Sequence, residues 1–314
     1  MTVTGIGETV LDIVFKHDKP QAAVPGGSTF NALISLGRTL GVSRPDVPIR
    51  MVSEIGDDHV ADLITRFMAD NHVDASCVLR RAGSQSHISL AFLDERNDAH
   101  YAFYKDHAHA LLPPEALGGV AFTADDFVLF GSYFAVNPVI RGATRPLLLS
   151  AREAGALLYY DINFRRPHLK ELPAILPALE ENCRLSDVVR GSSEDFGILY
   201  GTDDPEQVYK AHIAPLCSQF ICTCGAGPVH VFAPGMHLTL PVEEVETVST
   251  IGAGDSFNAG FLYALAEAGM DRRALADLSE DQWIRLVKTA GRFSAAVCRS
   301  LSNYVDPAFV QTLK

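Results

Sequence analysis

Nowhere in the 314 residues does an uninterrupted apolar run approach the roughly 20 positions that a membrane helix needs. Basic residues are also in short supply. Lys and Arg number 26 against 38 Asp and Glu, and the resulting formal net charge of −12 is not overturned by 11 neutral histidines. Such a chain lacks the basic face that a nucleic-acid partner calls for, although an anionic substrate needs only a local positive site. Cysteine is thin as well: six residues, at 77, 183, 217, 222, 224 and 298, are too scattered for a disulfide scaffold. Cys222 and Cys224 sit two apart, but no second pair with zinc spacing accompanies them, so they are read as reduced, packing thiols. The opening Met1-Thr2-Val3-Thr4-Gly5 has no basic segment leading into an apolar signal core. These absences together predict a cytoplasmic protein without a membrane or nucleic-acid partner. Internal repeats, low-complexity tracts and linker-like stretches are missing too.

What the chain has in quantity is apolar residue. Hydrophobic positions make up 47% and charged ones 20%, ordinary globular values that argue against disorder. The length accommodates one large α/β domain or two smaller ones. From Ile49 the pattern becomes regular. Ile49 to Ser53 reads as a strand, and the next helix carries Val60, Leu63, Ile64, Phe67 and Met68 on one face. The acids opening it, Asp57, Asp58 and Asp62, are read as dipole partners and solvated groups rather than metal ligands. Further strands are expected at 127–130, 156–160, 188–189 and 221–223. Helices are expected over about 138–154 and 281–298. One segment breaks this rhythm: His87 to Leu93 and Ala99 to Lys105 flank the polar Asp94-Glu95-Arg96-Asn97-Asp98 and predict a β-hairpin. A hairpin outside the alternation projects from the main sheet, where it can serve as a lid, a subunit interface or simply a half-buried strand pair. The expectation is a single α/β domain over 1–314, with lid segments at about 10–25 and 86–106.

Four polar groupings stand out against this background. Asp12 lies inside the apolar opening strand, which runs from Thr2 to Val14. Either that strand edge is wet or the carboxylate meets a ligand hydroxyl. In Gly26-Gly27-Ser28-Thr29-Phe30-Asn31, the glycines permit close backbone approach, while Ser28 or Thr29 can start a helix by simple capping. Asp161-Ile162-Asn163-Phe164-Arg165 follows a strand end, where open α/β sheets bind ligands. Finally, Ser249-Thr250-Ile251-Gly252-Ala253-Gly254-Asp255-Ser256-Phe257 joins an extended segment, Val242 to Val248, to an amphipathic helix. Free amides and the dipole at that helix start favour an anion. An acid in the same space is poorly explained as a cap. A base beside a phosphate cradle suggests phosphoryl transfer to a hydroxyl, although a plain glycine turn fits this stretch equally well when it is taken alone.

Taken in order and spacing, these stretches resemble the ribokinase-like (PfkB) carbohydrate kinases across almost the whole chain. The matching pieces are Asp12, the Gly26–Asn31 stretch, the hairpin, Asp161 to Arg165, Thr223-Cys224-Gly225 and Gly252-Ala253-Gly254-Asp255. The resemblance implies a three-layer α/β/α sandwich with a small β-sheet lid and transfer of the ATP γ-phosphate to a sugar or nucleoside hydroxyl. It makes Asp255 the catalytic base and the amides of Gly252, Ala253 and Gly254 the anion hole. It assigns Asp12, Gly27, Ser28, Asn31 and Arg165 to the substrate. Thr223, Gly225, Ser192 and Ser294 fall on the nucleotide side, and Asp195 is the carboxylate linked to Mg²⁺, which accompanies ATP.

Three positions depart from the family pattern. Ser192-Ser193-Glu194-Asp195 replaces the usual Asn-x-x-Glu, and Ser294 stands where an Asn near the nucleotide base is usual. Ser249 replaces a common Asp, which removes a charged group from the family's monovalent-cation site. The resemblance leans toward fructokinases through Gly26–Asn31 and Phe103-Tyr104-Lys105, so fructose is the first candidate acceptor. Other sugars of the family (2-keto-3-deoxygluconate, ribose, tagatose phosphate) and nucleosides are alternatives. A catalytically weak, regulatory binding relative is the alternative outside the enzyme class. A homodimer through the lid is expected, because an exposed sheet edge is a liability unless covered.

Overall fold

Gly7 divides the apolar opening into two strands that belong to different sheets. In the computed structural model, which describes residues 1–93, 99–104, 112–117 and 119–313, β1 (Val3–Ile6) enters a large sheet and β2 (Val10–Lys16) a small one. The single strand expected from Thr2 to Val14 is thus corrected to two. Helix α1 (Ser28–Ser43) packs on the break and leaves no room for a side chain there: a Cβ on Gly7 would lie 2.5 Å from Thr29 Oγ1.

The first half continues with β3 (Lys19–Gly26), β4 (Ile49–Gly56), α2 (His59–Asp70) and β5 (Asp74–Arg81). The hairpin follows as β6 (Ile88–Leu93) and β7 (Ala99–Tyr104), and then β8 (Phe127–Gly131). The polar turn read at 94–98, and Lys105, lie outside the described residues. Next come α3 (Arg141–Ala154), β9 (Leu157–Asp161), α4 (Leu172–Leu185), β10 (Val188–Ser192), α5 (Ser193–Tyr200) and α6 (Pro205–Val208). The chain closes with β11 (Phe220–Thr223), β12 (Val229–Ala233), β13 (Met236–Leu240), α7 (Ala253–Glu267), α8 (Arg272–Ala276) and α9 (Glu280–Cys298). Helix α3 begins three residues later than the sequence suggests, because a short turn at Tyr133–Ala135 and an Asn137 side chain bonded to Val139 N occupy its approach. No strand forms over 242–248; there the chain is held by its end, with Val248 N and Ser249 N both donating to Cys298 O.

The large sheet has the order β13-β12-β11-β10-β9-β8-β1-β4-β5, parallel except for the antiparallel pairings of β12 and β13. Strand alternation feeds two cores. Leu157 and Tyr159 of β9 face one of them, with α1, α2, α7 and α9; Leu158 and Tyr160 face the other, with α3, α4 and α5. Helices on both faces make a three-layer α/β/α sandwich. Helix α9 shows how the sequence specifies such a layer. A Ser279/Gln282 capping box starts it, and Trp283, Leu286, Ala290 and Phe293 bury one stripe. Phe261 of α7 is wholly buried opposite, so truncating it to Ala would cost about 3–5 kcal/mol.

β1 lies between β4 and β8, with Val3 opposite both Ile49 and Phe127. The strand order therefore reverses at β1, which opens a crevice at the C-terminal strand ends. The small sheet, ordered β3-β2-β6-β7, is fed from that same end. Among the described residues no helix is long and apolar enough to cross a membrane.

Candidate active site

Helix α7 starts on a glycine that no other residue could replace without strain. Gly252 is its N-cap at φ 76, and a Cβ there would lie 2.2 Å from Asn303 O. Ser256 N bonds Gly252 O at 2.8 Å and begins the helical ladder. Ala253 N turns back to Thr250 O at 3.2 Å, whereas Gly254 N meets no backbone carbonyl outside the helix among the described residues. Open amide and helix dipole together suit an anion.

Asp255 follows at the third helical position, and α1 closes on it from the other side. Ser28 Oγ donates to Asp255 Oδ1 at 2.7 Å, and Asn31 Nδ2 to Oδ2 at 2.8 Å. One turn further on, Ser35 Oγ and Ser256 Oγ lie 3.3 Å apart. The structure thus decides what the sequence left open. Ser28 does not cap α1, whose N-cap is Gly27 at φ 118; its hydroxyl serves Asp255. Burial is the chief force on the Asp255 carboxyl and pushes it up to about 6. The Ser28 and Asn31 hydrogen bonds pull it back, Asp161 pushes it up, and Arg165 draws it down. Asn31 Oδ1 is buried and has no hydrogen-bond partner among the described residues. In a native site, such an acceptor is a place for a ligand donor.

Asp12 comes to the same space from β2. It is 8% exposed, so the wet-edge reading fails. Its Oδ1 accepts a short hydrogen bond from Ser89 of β6, while Asn303 Nδ2 reaches Oδ2 at 3.4 Å. Desolvation pushes this carboxyl up to about 6; Ser89 opposes that, and the charges of Glu8 and Asp255 add to it. A Cβ on Gly26 would lie 2.1 Å from Asp12 Oδ2, so the glycine is required by the carboxylate packed on it. A Cβ on the neighbouring Gly27 would likewise lie 2.3 Å from Glu8 O.

Beneath the glycine turn lies a buried polar floor. Arg190 of β10 pairs with Asp161 Oδ1 at 3.1 Å and donates to Thr223 Oγ1 at 2.7 Å. Asn258 of α7 donates to Asp161 Oδ2 at 2.7 Å and accepts from Tyr159 OH at 3.0 Å. A methyl on Gly254 would lie 2.9 Å from Arg190 Nη2. Burial alone would favour loss of the guanidinium proton, but Asp161, Tyr159 and Asp195 outweigh it and hold Arg190 protonated.

The remaining sequence candidates are spread around this floor. Gly225, at φ 59, heads the turn that Gly227 N closes on Cys224 O. Asp195 is buried and forms a capping box with Ser192, whose N and Oγ both donate to its Oδ2 at 2.7 and 2.8 Å. Burial and the Asp161 charge push its carboxyl up. Ser294 Oγ is taken by Ala253 O at 2.7 Å, which braces the glycine turn from α9. Ser249 Oγ accepts from Ile251 N at 3.2 Å. Arg165 is exposed at the C-terminal end of β9, and its charge acts on Asp255 and Asp195. Ser132 and Asn163 flank it at φ 54 and 37, joined by an Asn163 Nδ2–Ser132 Oγ bond of 2.6 Å. Left-handed backbone at non-glycine residues gathers at functional sites.

Sequence reasoning overlooked Arg190, Asn258, Ser89 and Asn303. Arg190 left a trace, a charge inside the apolar run of β10. Asn303 left none, because it follows α9 in an irregular segment and reaches the site only through the fold.

The chain matches the sequence profile described as "pfkB family carbohydrate kinase" over residues 5–300, and it belongs to that family of sugar-phosphorylating enzymes. A fructokinase of Rhizobium leguminosarum bv. trifolii is 28% identical over 292 residues, covering 87% of this chain and 83% of that protein. Among solved structures, Vibrio cholerae O395 fructokinase, with fructose, ADP and calcium ion bound, superposes with a TM-score of 0.80 at 22% identity, covering 96% of this chain and 94% of that one. Salmonella enterica aminoimidazole riboside kinase, complexed with aminoimidazole riboside and an ATP analog, also reaches 0.80, at 20% identity, covering 100% and 98%. At such identities the structural likeness speaks for the ribokinase-like fold, whereas the family match makes the protein a carbohydrate kinase.

Proposed function

We propose that this kinase phosphorylates fructose with ATP, with Asp255 as the base. One observation carries the reading: the Asp255 carboxylate, oriented through both oxygens by Ser28 and Asn31, stands at the start of α7 beside the orphaned acceptor Asn31 Oδ1. A sugar hydroxyl can donate to that acceptor while a neighbouring hydroxyl gives its proton to Asp255. The amides of Gly252 and Gly254 form the anion hole. Ala253 joins it only by releasing Thr250 O. Phosphoryl transfer asks for this combination of positioning and charge stabilisation.

In the same reading Asp12, Gly27, Ser28, Asn31 and Arg165 hold the sugar, while Thr223, Gly225, Ser192 and Ser294 border the nucleotide. ATP supplies the transferred group. Among the described residues no three acidic, His or Cys side chains could hold a metal ion by themselves. That fits Mg²⁺ held mainly by phosphate oxygens and water, with Asp195 the carboxylate nearest that role. The charges of Glu8 and Asp255 both act on Asp12, an environment that favours a neutral polyol over an acid or a sugar phosphate. The small sheet serves as a lid and as a dimer interface, a role supported by the exposure of Phe92, Phe103 and Tyr104 at 39%, 42% and 61%. Six free thiols accord with a cytoplasmic setting.

The test is sugar-dependent ADP formation across fructose, ribose, 2-keto-3-deoxygluconate, tagatose 6-phosphate and nucleosides, with Asp255→Asn alongside. Fructose should give the highest kcat/KM. Turnover surviving in the variant would remove the base assignment, and sugar binding without turnover on any acceptor would point to a regulatory binding protein. Light scattering of the full chain checks the dimer, which a monomeric mass would exclude.

A further inference from the structure

Around the glycine turn the fold gathers more carboxylate than proton abstraction requires. Asp161 of β9, Asp195 of α5 and Asp255 of α7 share one region, and Asp12 of β2 reaches it from the small sheet. Among the described residues two arginines act on them. Arg165 is exposed on the loop after β9, while Arg190 is 5% exposed on β10. We propose that Arg190 is a positioning residue for phosphoryl transfer: its guanidinium neutralises Asp161, fixes the Thr223 hydroxyl and backs the Gly254 turn, so that Asp255 remains able to ionise. This inference rests on the reading of Asp255 as the base.

The geometry is that of a hub. From β10, one planar group reaches Asp161 on β9 at 3.1 Å, Thr223 on β11 at 2.7 Å and the Cα face of Gly254 on α7. Asp161 carries the link onward, because its second oxygen accepts from Asn258, three residues beyond Asp255 on the same helix. The register of three elements is thus tied to one side chain. Lysine could keep the charge, but a single ammonium lacks the fork that spans two partners. Arg190 Nε has no hydrogen-bond partner among the described residues, so the guanidinium is kept at a cost that a purely structural role does not explain. Val188 and Val189, which precede it on the strand, are fully buried. Replacing a buried ion pair by apolar side chains is often neutral, whereas removing one partner leaves a buried charge exposed to its neighbours.

The consequence falls on Asp255. Ser28 and Asn31 of α1 donate to it, Asp161 opposes its ionisation, Arg165 favours it, and Asp12 lies across the acceptor space. Asp195 enters the same field through Asp161, Arg165 and Arg190. With Arg190 removed, Asp161 is uncompensated and holds the proton on Asp255.

The Asp255 carboxyl can be titrated without turnover, by its ¹³Cγ shift in protein carrying labelled aspartate, assigned by comparison with Asp255→Asn. In the wild type the midpoint should fall near 6. Arg190→Met should raise it by about one pH unit, and the acid limb of kcat/KM should move with it. Adding Asp161→Asn should return both toward the wild-type value, while KM for ATP, set by the Thr223 contact, stays about tenfold high, the loss of one charge-assisted hydrogen bond. Arg190→Lys should leave the midpoint in place and raise KM for ATP alone. An unshifted midpoint in folded Arg190→Met, or one that Asp161→Asn fails to restore, overturns the proposal. Should Arg190→Met not fold, Arg190→Lys with an unchanged KM for ATP overturns it instead. A wild type inactive on every acceptor would defeat the base reading, whereas the titration would still judge the electrostatic role of Arg190.

Discussion

Asn31 donates its amide to Asp255 Oδ2 across 2.8 Å, joining residues 224 positions apart in the chain. The bond does two things at once. It orients the carboxylate, and it lowers a proton affinity that burial has raised. Asn31→Ala should therefore move the acid limb of kcat/KM to higher pH and raise KM for the sugar about tenfold, the weight of one hydrogen bond to a charged group. A steady-state pH series on the variant checks both effects.

Asp255→Asn should lower kcat by about 10²–10⁴-fold while leaving ATP affinity in place. It should also stabilise the protein at neutral pH. The folded carboxyl, near 6, lies above its ordinary 3.8, so the native state keeps its proton longer than the unfolded chain does. Stability is fully present below about pH 4 and is lost as pH rises through about 6. The neutral amide escapes that loss. Tm at pH 7.5 should rise by about 2 °C, a modest gain because the residue is only partly buried, and should not rise at pH 4. An equal shift at both pH values would contradict the argument.

The Asp12 and Asp255 carboxyls, both pushed up to about 6 chiefly by burial, border the proposed acceptor space. Log kcat/KM for the sugar should fall below pH 6 more steeply than one proton allows. In Asp12→Asn the fall should relax to a single proton, with a higher sugar KM. Because the two groups interact, the wild-type limb reports the pair. A one-proton limb in the wild type would separate Asp12 from the reaction.

Two glycine substitutions should divide the site into halves. In Gly26→Ala the new methyl would lie 2.1 Å from Asp12 Oδ2, so it should raise the sugar KM at least about tenfold with ATP unaffected. In Gly252→Ala a left-handed residue at φ 76 also meets Asn303 O at 2.2 Å, so kcat should fall and stability should drop by about 1–3 kcal/mol. Paired measurements of KM, kcat and urea midpoint distinguish the two.

Cys224 should be the fastest thiol. The neighbouring Cys222 thiol, opposed by burial and helped by Ser193, draws it below the ordinary thiol range, whereas burial pushes Cys183 and Cys217 up. Iodoacetamide at pH 7.5, followed by peptide mass spectrometry, should find Cys224 alkylated first, and Cys222→Ala should slow it.

Some of this protein was legible without coordinates. Period-two strands and helical stripes such as Trp283–Phe293 mark their own elements, because burying an apolar face is a local decision repeated along the chain. Gly252–Asp255 was legible for a similar reason, since a left-handed turn before a helix admits few residues. Arg190 was visible only as a charge out of place, and its three contacts depend on strand neighbours that sequence order does not give.

The sequence by itself determined an acidic α/β chain with a glycine-led helix start and an acid in its first turn. Composition and spacing suffice for that. Only the tertiary structure decided that the Ser28 hydroxyl serves Asp255 rather than a helix cap, that Asp12 is dry, that Asn303 reaches Asp12 and that Arg190 lies against the glycine turn. Those facts depend on contacts between segments far apart in sequence, and such contacts exist only once the sheet order brings α1, β2, β10 and α7 to one crevice.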